Sequence, residues 1–186
     1  MRNKNFPKNV FADAINKAVF PGLQGGPHEN VIAAKAVAFK EALDPSFRDY
    51  ARQIIANTQT LCHALEKMGC HIVFGTTQNH MILLDIFTSH GIGGKEAERS
   101  LNEAGLTVNK NVIPNDSRPP LNPSGIRLGT PAITTRGMKE TEMQFIADAI
   151  MQILSHPSDE SLKERIKNEV KELCARFPLY PDFSYS

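Results

Sequence analysis

Ser124-Gly125-Ile126-Arg127-Leu128-Gly129-Thr130-Pro131-Ala132 reads as a β-strand running straight into a helix. Side chains alternate faces along a strand, so Ile126 and Leu128 point one way and Gly125, Arg127 and Gly129 the other. The two glycines place no side chain beside Arg127, which leaves its guanidinium in an open slot with apolar anchors behind it. The fixed fork of donors on a guanidinium matches a carboxylate or a phosphate. Thr130 is a good N-cap residue and Pro131 suits the first position of the helix that follows. The same pattern also admits a plainer reading, a surface arginine on a glycine-weakened strand.

Upstream, the patterning alternates helices with short strands. Residues 1–27 are rich in turn formers, with Pro21, Gly22, Gly25, Gly26 and Pro27 close together, and read as loop. A helix is expected from about His28 to Leu43, stopped at Asp44-Pro45. From Ser46, apolar residues recur at helical spacing through Ile54, Thr58, Leu61, Cys62, Leu65 and Met68, and Gly69 closes that helix. Cys70–Phe74 and His80–Phe87 read as strands. The nearly continuous apolar run Met81–Ile86 places the second in the middle of a sheet. Gly94–Ala104 reads as a short helix and Leu106–Asn109 as a short strand, and a Pro/Asn/Ser-rich loop covers about Asn111–Pro123. Beyond the Arg127 strand, helices are expected over Lys139–Leu154 and about Asp159–Cys174. The order predicts an α+β domain with a small, partly antiparallel sheet covered by helices, residues 44–186, behind a separate front piece, residues 1–43.

The chain has 186 residues, 41% hydrophobic and 22% charged, with a formal net charge of +1. That balance gives no reason to expect nucleic acid or an acidic membrane as a partner. No apolar run approaches the roughly 20 residues of a membrane span. The basic start Met1-Arg2-Asn3-Lys4-Asn5-Phe6-Pro7 lacks the apolar core of a secretory signal. Cys62, Cys70 and Cys174 form no CxxC pair and favour a reducing compartment, so the cytoplasm is the expected location.

Three further segments invite a chemical reading. In Ala18-Val19-Phe20-Pro21-Gly22-Leu23-Gln24-Gly25-Gly26-Pro27, two glycines precede a helix that should open at Pro27. Helix N-termini offer unpaired amides to anions, so a phosphate fits there, and so does a simple tight turn. Gly91-Ile92-Gly93-Gly94-Lys95-Glu96 lacks the spacing of a phosphate-binding P-loop and reads as a flexible entry to a helix. Val108-Asn109-Lys110-Asn111 ends a strand. There Asn111 offers a donor and an acceptor to a heterocycle, or serves as a turn residue. Among the six histidines none pairs at metal-ligand spacing, so no metal site is expected. His63, beside an apolar stripe, reads as structural, and His80 as a cap or part of a polar cluster.

Together the Ala18–Pro27 segment, Asn79-His80 ahead of an apolar strand ending in Asp85, Thr107–Asn111 and Ser124–Ala132 resemble serine hydroxymethyltransferases in order and spacing. The resemblance runs from about Ala14 to about Phe177. It implies a fold type I enzyme of the aspartate-aminotransferase kind, with a large cofactor domain and a smaller C-terminal one, assembled as a homo-oligomer. It implies pyridoxal phosphate as cofactor and exchange of a hydroxymethyl carbon between serine and tetrahydrofolate, giving glycine and methylenetetrahydrofolate. By the resemblance Arg127 binds the substrate carboxylate. Gly25 and Gly26 face the cofactor phosphate of the neighbouring subunit, and Phe20 and Asn111 line the folate site. The family's Thr-Thr-His-Lys-Thr cofactor-lysine motif does not occur here, and Lys110 sits in a different motif and does not replace it. The expectation is therefore a C-terminal part, inactive alone, that associates with an upstream half or with its own kind. The rival is a non-catalytic folate-binding, amino-acid-binding or subunit-interaction module. Exposed Val19, Phe20, Val31, Val37 and Phe39 on the front piece would favour association.

Overall fold

The computed structural model describes residues 8–180. The reading of Met1–Pro7 as no secretory signal lies outside the described residues. The chain divides into two compact units, one ending at Phe47 and one beginning at Arg48.

The first unit holds α1 (Lys8–Lys17), an irregular helical turn over Ala18–Leu23 and α2 (Glu29–Leu43). A helix at 8–17 replaces part of the loop expected for residues 1–27. The turn formers that prompted that reading all lie beyond Lys17, and Phe20 and Pro21 break helical geometry as expected, with a cis peptide bond between them. The helix α2 opens at Glu29 rather than Pro27, with His28 at its N-cap accepting from the amides of Val31 and Ile32. Every side chain from Val10 to Phe47 is exposed, including Val19, Phe20, Val31, Val37 and Phe39.

The second unit contains the core. The long helix α3 (Pro45–Lys67) begins one residue before the expected Ser46, and Gly69 follows it at φ +93°, a left-handed turn that an L side chain resists. Then come β1 (His71–Ile72), β2 (Met81–Asp85), α4 (Ile86–His90), α5 (Gly94–Glu103), β3 (Asn109–Asn111), β4 (Gly125–Gly129), α6 (Pro131–Thr135), α7 (Glu140–Ser155) and α8 (Glu160–Arg176). The sheet order is β1-β2-β4-β3 and all three pairings are antiparallel, so the expected partly antiparallel sheet is wholly so. The strand β2 is central, as its apolar run requires.

Three strand limits differ from the sequence reading, each for a local reason. The first strand stops at Ile72 because Phe74 and Gly75 both take positive φ. The second stops at Asp85, whose carboxylate caps α4 by accepting from the Thr88 amide (3.0 Å) and hydroxyl (2.6 Å). The third starts late, at Asn109, because Leu106 still donates back to the Leu101 carbonyl to close α5.

On the inner face of the sheet Ile82 pairs with Leu128, and Leu84 with Ile126 and Ile72. These join Leu61 and Leu65 of α3, Ala97 and Leu101 of α5, Met143, Ile150 and Ile153 of α7 and Ile166 of α8 in one buried cluster. A buried polar lattice locks α3 to the end of β4. Asn57, fully buried, donates to Thr134 Oγ1 and to the Met138 carbonyl, both at 2.9 Å. Thr130 Oγ1 lies 2.6 Å from Thr58 Oγ1 and 3.0 Å from the Ile54 carbonyl. Thr130 therefore does not cap α6 with its side chain, as the sequence suggested. Its hydroxyl is committed to α3 instead.

Gly94 opens α5 against the Gly125 carbonyl, with no room for a Cβ between them. Gly94→Ala is expected to reverse the usual gain of alanine in a helix and destabilise by about 2–4 kcal/mol, because backbone must shift. A lower urea midpoint at unchanged m-value checks this.

Candidate functional site

The outer face of the sheet carries the other half of the strand pattern. In register, Leu83, Arg127 and Asn109 form one rung, with Asp85, Gly125 and Asn111 on one side and Met81 with Gly129 on the other. Arg127 is exposed, and among the described residues its guanidinium makes no hydrogen bond or ion pair. It lines a cleft of about 430 Å³ with Asn111, Phe74, Thr77, Gln78 and Asn79. That volume falls in the range of small-molecule sites.

The glycines beside Arg127 have a different role from the open slot inferred from sequence. A Cβ on Gly125 would lie 2.8 Å from the carbonyl oxygens of Leu84 and Asn111, and one on Gly129 2.8 Å from that of His80. Glycine is needed because neighbouring backbone comes so close. The openness around Arg127 comes from the cleft.

One wall of the cleft is held rigid by its own hydrogen bonds. Asn79 Oδ1 accepts from the Met81 amide (2.8 Å) and Thr77 Oγ1 donates to the Met81 carbonyl (2.6 Å), which ties the turn to the start of β2. His80 contributes its carbonyl, which accepts from Thr130 N, while its side chain is exposed. Asn111 gives one of its two amide N–H donors to the Val112 carbonyl (2.7 Å), which fixes the side chain and leaves its oxygen and one N–H for a ligand.

The loop from β3 to β4 is pinned by Asp116. Its carboxylate accepts from the Ser124 hydroxyl (2.7 Å) and amide (2.9 Å), the Arg118 amide (3.0 Å) and the Ile113 amide (3.3 Å). Burial by itself pushes this carboxyl up, but the four donors outweigh it and bring it down to about 2. The loop is also clamped by Arg118, which stacks over the Phe87 ring at 4.4 Å and donates to the Asn122 carbonyl. The entry to β4, and with it Arg127, is therefore set by side-chain chemistry in a stretch that reads only as loop.

Lys110 lies on the other face, in register with Ile126, and its ammonium is 2.9 Å from Glu98 Oε2 while its amide donates to Oε1. Those bonds from Lys110 hold the Glu98 carboxyl below its ordinary range. Among the described residues no lysine lines the Arg127 cleft.

The sequence model of the serine hydroxymethyltransferase family matches residues 2–150. The chain belongs to the serine hydroxymethyltransferase family. It is 52% identical over 175 residues to the serine hydroxymethyltransferase of Koribacter versatilis, covering 94% of this chain and 41% of the relative. Against that of Acidobacterium capsulatum it is 56% identical over 169 residues, 91% of this chain and 39% of the relative. Against that of Desulforapulum autotrophicum the figures are 52% over 174 residues, 94% and 41%. The chain thus spans about two-fifths of the length of these serine hydroxymethyltransferases.

Of the site residues expected from the serine hydroxymethyltransferase resemblance, Arg127 and Asn111 come together in one cleft. Phe20, Gly25 and Gly26 belong to the first unit. Phe20 is 65% exposed, and Gly25 and Gly26 are exposed with open space where a Cβ would stand. The P-loop-like Gly91–Glu96 segment is a helix entry, as read. His63 is not part of the packed core. It is exposed, with Nδ1 3.6 Å from Glu66. No group of His, Cys, Asp and Glu suited to a metal, and no helix long and apolar enough to cross a membrane, occurs among the described residues. Sequence reasoning missed Asn57, Asp116 and Phe74. The string Pro114-Asn115-Asp116-Ser117 carries the Asx-turn signal that marks Asp116 as a loop organiser.

Proposed function

We propose that this chain is the C-terminal part of a fold type I serine hydroxymethyltransferase that interconverts serine and tetrahydrofolate with glycine and 5,10-methylenetetrahydrofolate. In this reading residues 44–186 are the small domain and residues 1–43 the tail of the large cofactor domain. The observation that carries the reading is the unpartnered Arg127 on the open sheet face, inside a cleft with Asn111. Arg127 binds and orients the amino-acid carboxylate through its guanidinium fork. Asn111, with its free side-chain oxygen, and Phe20 line the folate site. Asp116 and the Thr58–Thr130 contact hold both ends of β4, so the guanidinium is presented from a rigid strand.

The glycine pair fits a phosphate. Gly25 and Gly26 are exposed, no side chain stands over them, and they precede the N-terminus of the 15-residue α2. They would hold the phosphate of pyridoxal phosphate in a neighbouring subunit. When bound, that cofactor supplies an electron sink for the bonds at the substrate's α-carbon. Among the described residues the cleft has no lysine to anchor it, and in this reading the chain by itself is inactive and works with an upstream part.

Association is supported by α2, ten of whose fifteen residues are apolar and which is exposed throughout. Apolar surface of that extent, with Val31, Val37 and Phe39 in water, is normally covered by a partner. The partners we infer are the upstream part and a second copy, in the cytoplasm, where the free Cys62, Cys70 and Cys174 fit a reducing setting.

Mixing the chain with the separately produced upstream part of the Koribacter relative tests this. Serine-dependent methylenetetrahydrofolate formation is expected in the mixture and not with the chain alone. Pyridoxal phosphate followed by borohydride should leave the isolated chain without a stoichiometric adduct, and an adduct on one specific lysine would overturn the claim. The rival, a non-catalytic binding or subunit-interaction module, predicts tight calorimetric binding of tetrahydrofolate or serine to the chain and no activity in the mixture.

A further inference from the structure

Phe74 is the most anomalous residue of the cleft. Its backbone sits at φ +66° and ψ 9°, a left-handed conformation that a bulky L residue resists, and Gly75 beside it also takes positive φ. Its ring is 83% exposed and takes no part in the buried cluster. The position thus combines backbone strain with an apolar ring in water, and no packing within the second unit compensates either. Glycine or asparagine would relieve both. Residues held in such conformations concentrate at ligand clamps, and the inference runs from the outlier to a role.

The surroundings indicate the role. Phe74 lines the same cleft as Arg127 and Asn111, and the turn that carries it continues into the wall fixed by Thr77 and Asn79. Beside the carboxylate-binding Arg127 the cleft therefore has a side-chain amide at Asn111 and an aromatic face at Phe74. A second ligand that uses the amide and the ring carries a planar ring as well as polar groups. We propose that Phe74 is the ring-contacting wall of this cleft and packs against an aromatic ring of the folate co-substrate. This rests on the reading of the cleft as a folate site. An exposed aromatic face gains by covering a flat ring, both by removing apolar area from water and by offset or edge-on ring geometry.

The test uses the chain itself, with 5-formyltetrahydrofolate as a stable probe, and saturation-transfer NMR to detect weak binding. The wild-type chain is expected to transfer saturation to the benzoyl ring protons of the probe. Phe74→Gly and Phe74→Asn should reduce that transfer at least threefold while raising the Tm by a few degrees, since each removes strain at a left-handed position. Loss of function with a gain in stability is a signature that a purely structural role would not give. Unchanged transfer in both variants, or no transfer with the wild-type chain, overturns the proposal. The folate reading itself is checked separately by Asn111→Ala. If that variant abolishes transfer and the Phe74 variants do not, the cleft binds folate and Phe74 is not its wall. If the Phe74 variants instead weaken assembly with the upstream part and leave transfer intact, the ring is an assembly contact and the proposal falls.

Discussion

Arg127→Ala is expected to lower kcat/KM for serine roughly 10²–10⁴-fold in the assembled enzyme, with little change in fold stability. Truncating one partner of a desolvated, hydrogen-bonded charge pair costs about 3–5 kcal/mol, and each 1.36 kcal/mol is a factor of ten in rate. The fold should be nearly indifferent, within about 0.5 kcal/mol, because the guanidinium is exposed and has no partner among the described residues. Arg127→Lys should recover only part of the loss, since a point charge cannot reproduce a two-pronged contact. Steady-state kinetics with serine beside urea unfolding separate the two effects. A variant within tenfold of wild type would remove Arg127 from the carboxylate site. So would one that loses activity only by unfolding.

Asp116→Ala is expected to destabilise the fold strongly, by about 2–4 kcal/mol. The substitution strands the Ser124, Arg118 and Ile113 amides and the Ser124 hydroxyl at the entry to β4. The effect should also depend on pH in a defined direction. The folded carboxyl lies at about 2, below its ordinary 3.8. A group whose folded pKa is depressed contributes its full stability above the unfolded value and loses it as pH falls through the folded one. With a discount for solvent screening at a partly exposed group, about 1–2 kcal/mol should disappear between pH 4 and pH 2. Urea midpoints of wild type and variant at pH 7, 4 and 2.5 should therefore converge at the acid end. A gap that stays constant would mean that charge on Asp116 does not hold the loop. Because the loop sets the start of β4, a looser Arg127 should accompany the loss. In the assembled enzyme this would appear as a raised KM for serine.

Much of the architecture is legible from local pattern. The three-four repeat after Ser46, the apolar run Met81–Ile86 and the glycines after α3 and α5 record periodicity and backbone freedom, which depend on near neighbours alone. The limits of β1, β2 and β3 were less legible because each is decided by a competing local partner: a left-handed Phe74, an Asp85 side chain that prefers to cap, and a Leu106 amide still bonded to α5. The candidate site divides in the same way. Arg127 stands out in sequence because glycines flank it on its own face. Asn57 does not, because its amide nitrogen bonds to residues 77 and 81 positions away, and Asp116 shows only its local turn bonds, since Ser124 lies 8 residues on across the loop.

The elements, the antiparallel tendency and, through four spaced motifs, the serine hydroxymethyltransferase family can be read from the chain unfolded on paper. These are properties of periodicity, turn chemistry and residue identity, and they survive without knowledge of what touches what. It takes the folded chain to reveal that Arg127 and Asn111 share a cleft, that Lys110 is tied to Glu98 on the opposite face, and that Phe74 stands strained and exposed at the cleft wall. The reason is geometric. Antiparallel pairing of β2, β4 and β3 selects which side chains meet, and a shift of one residue in that register would turn each of them to the other face.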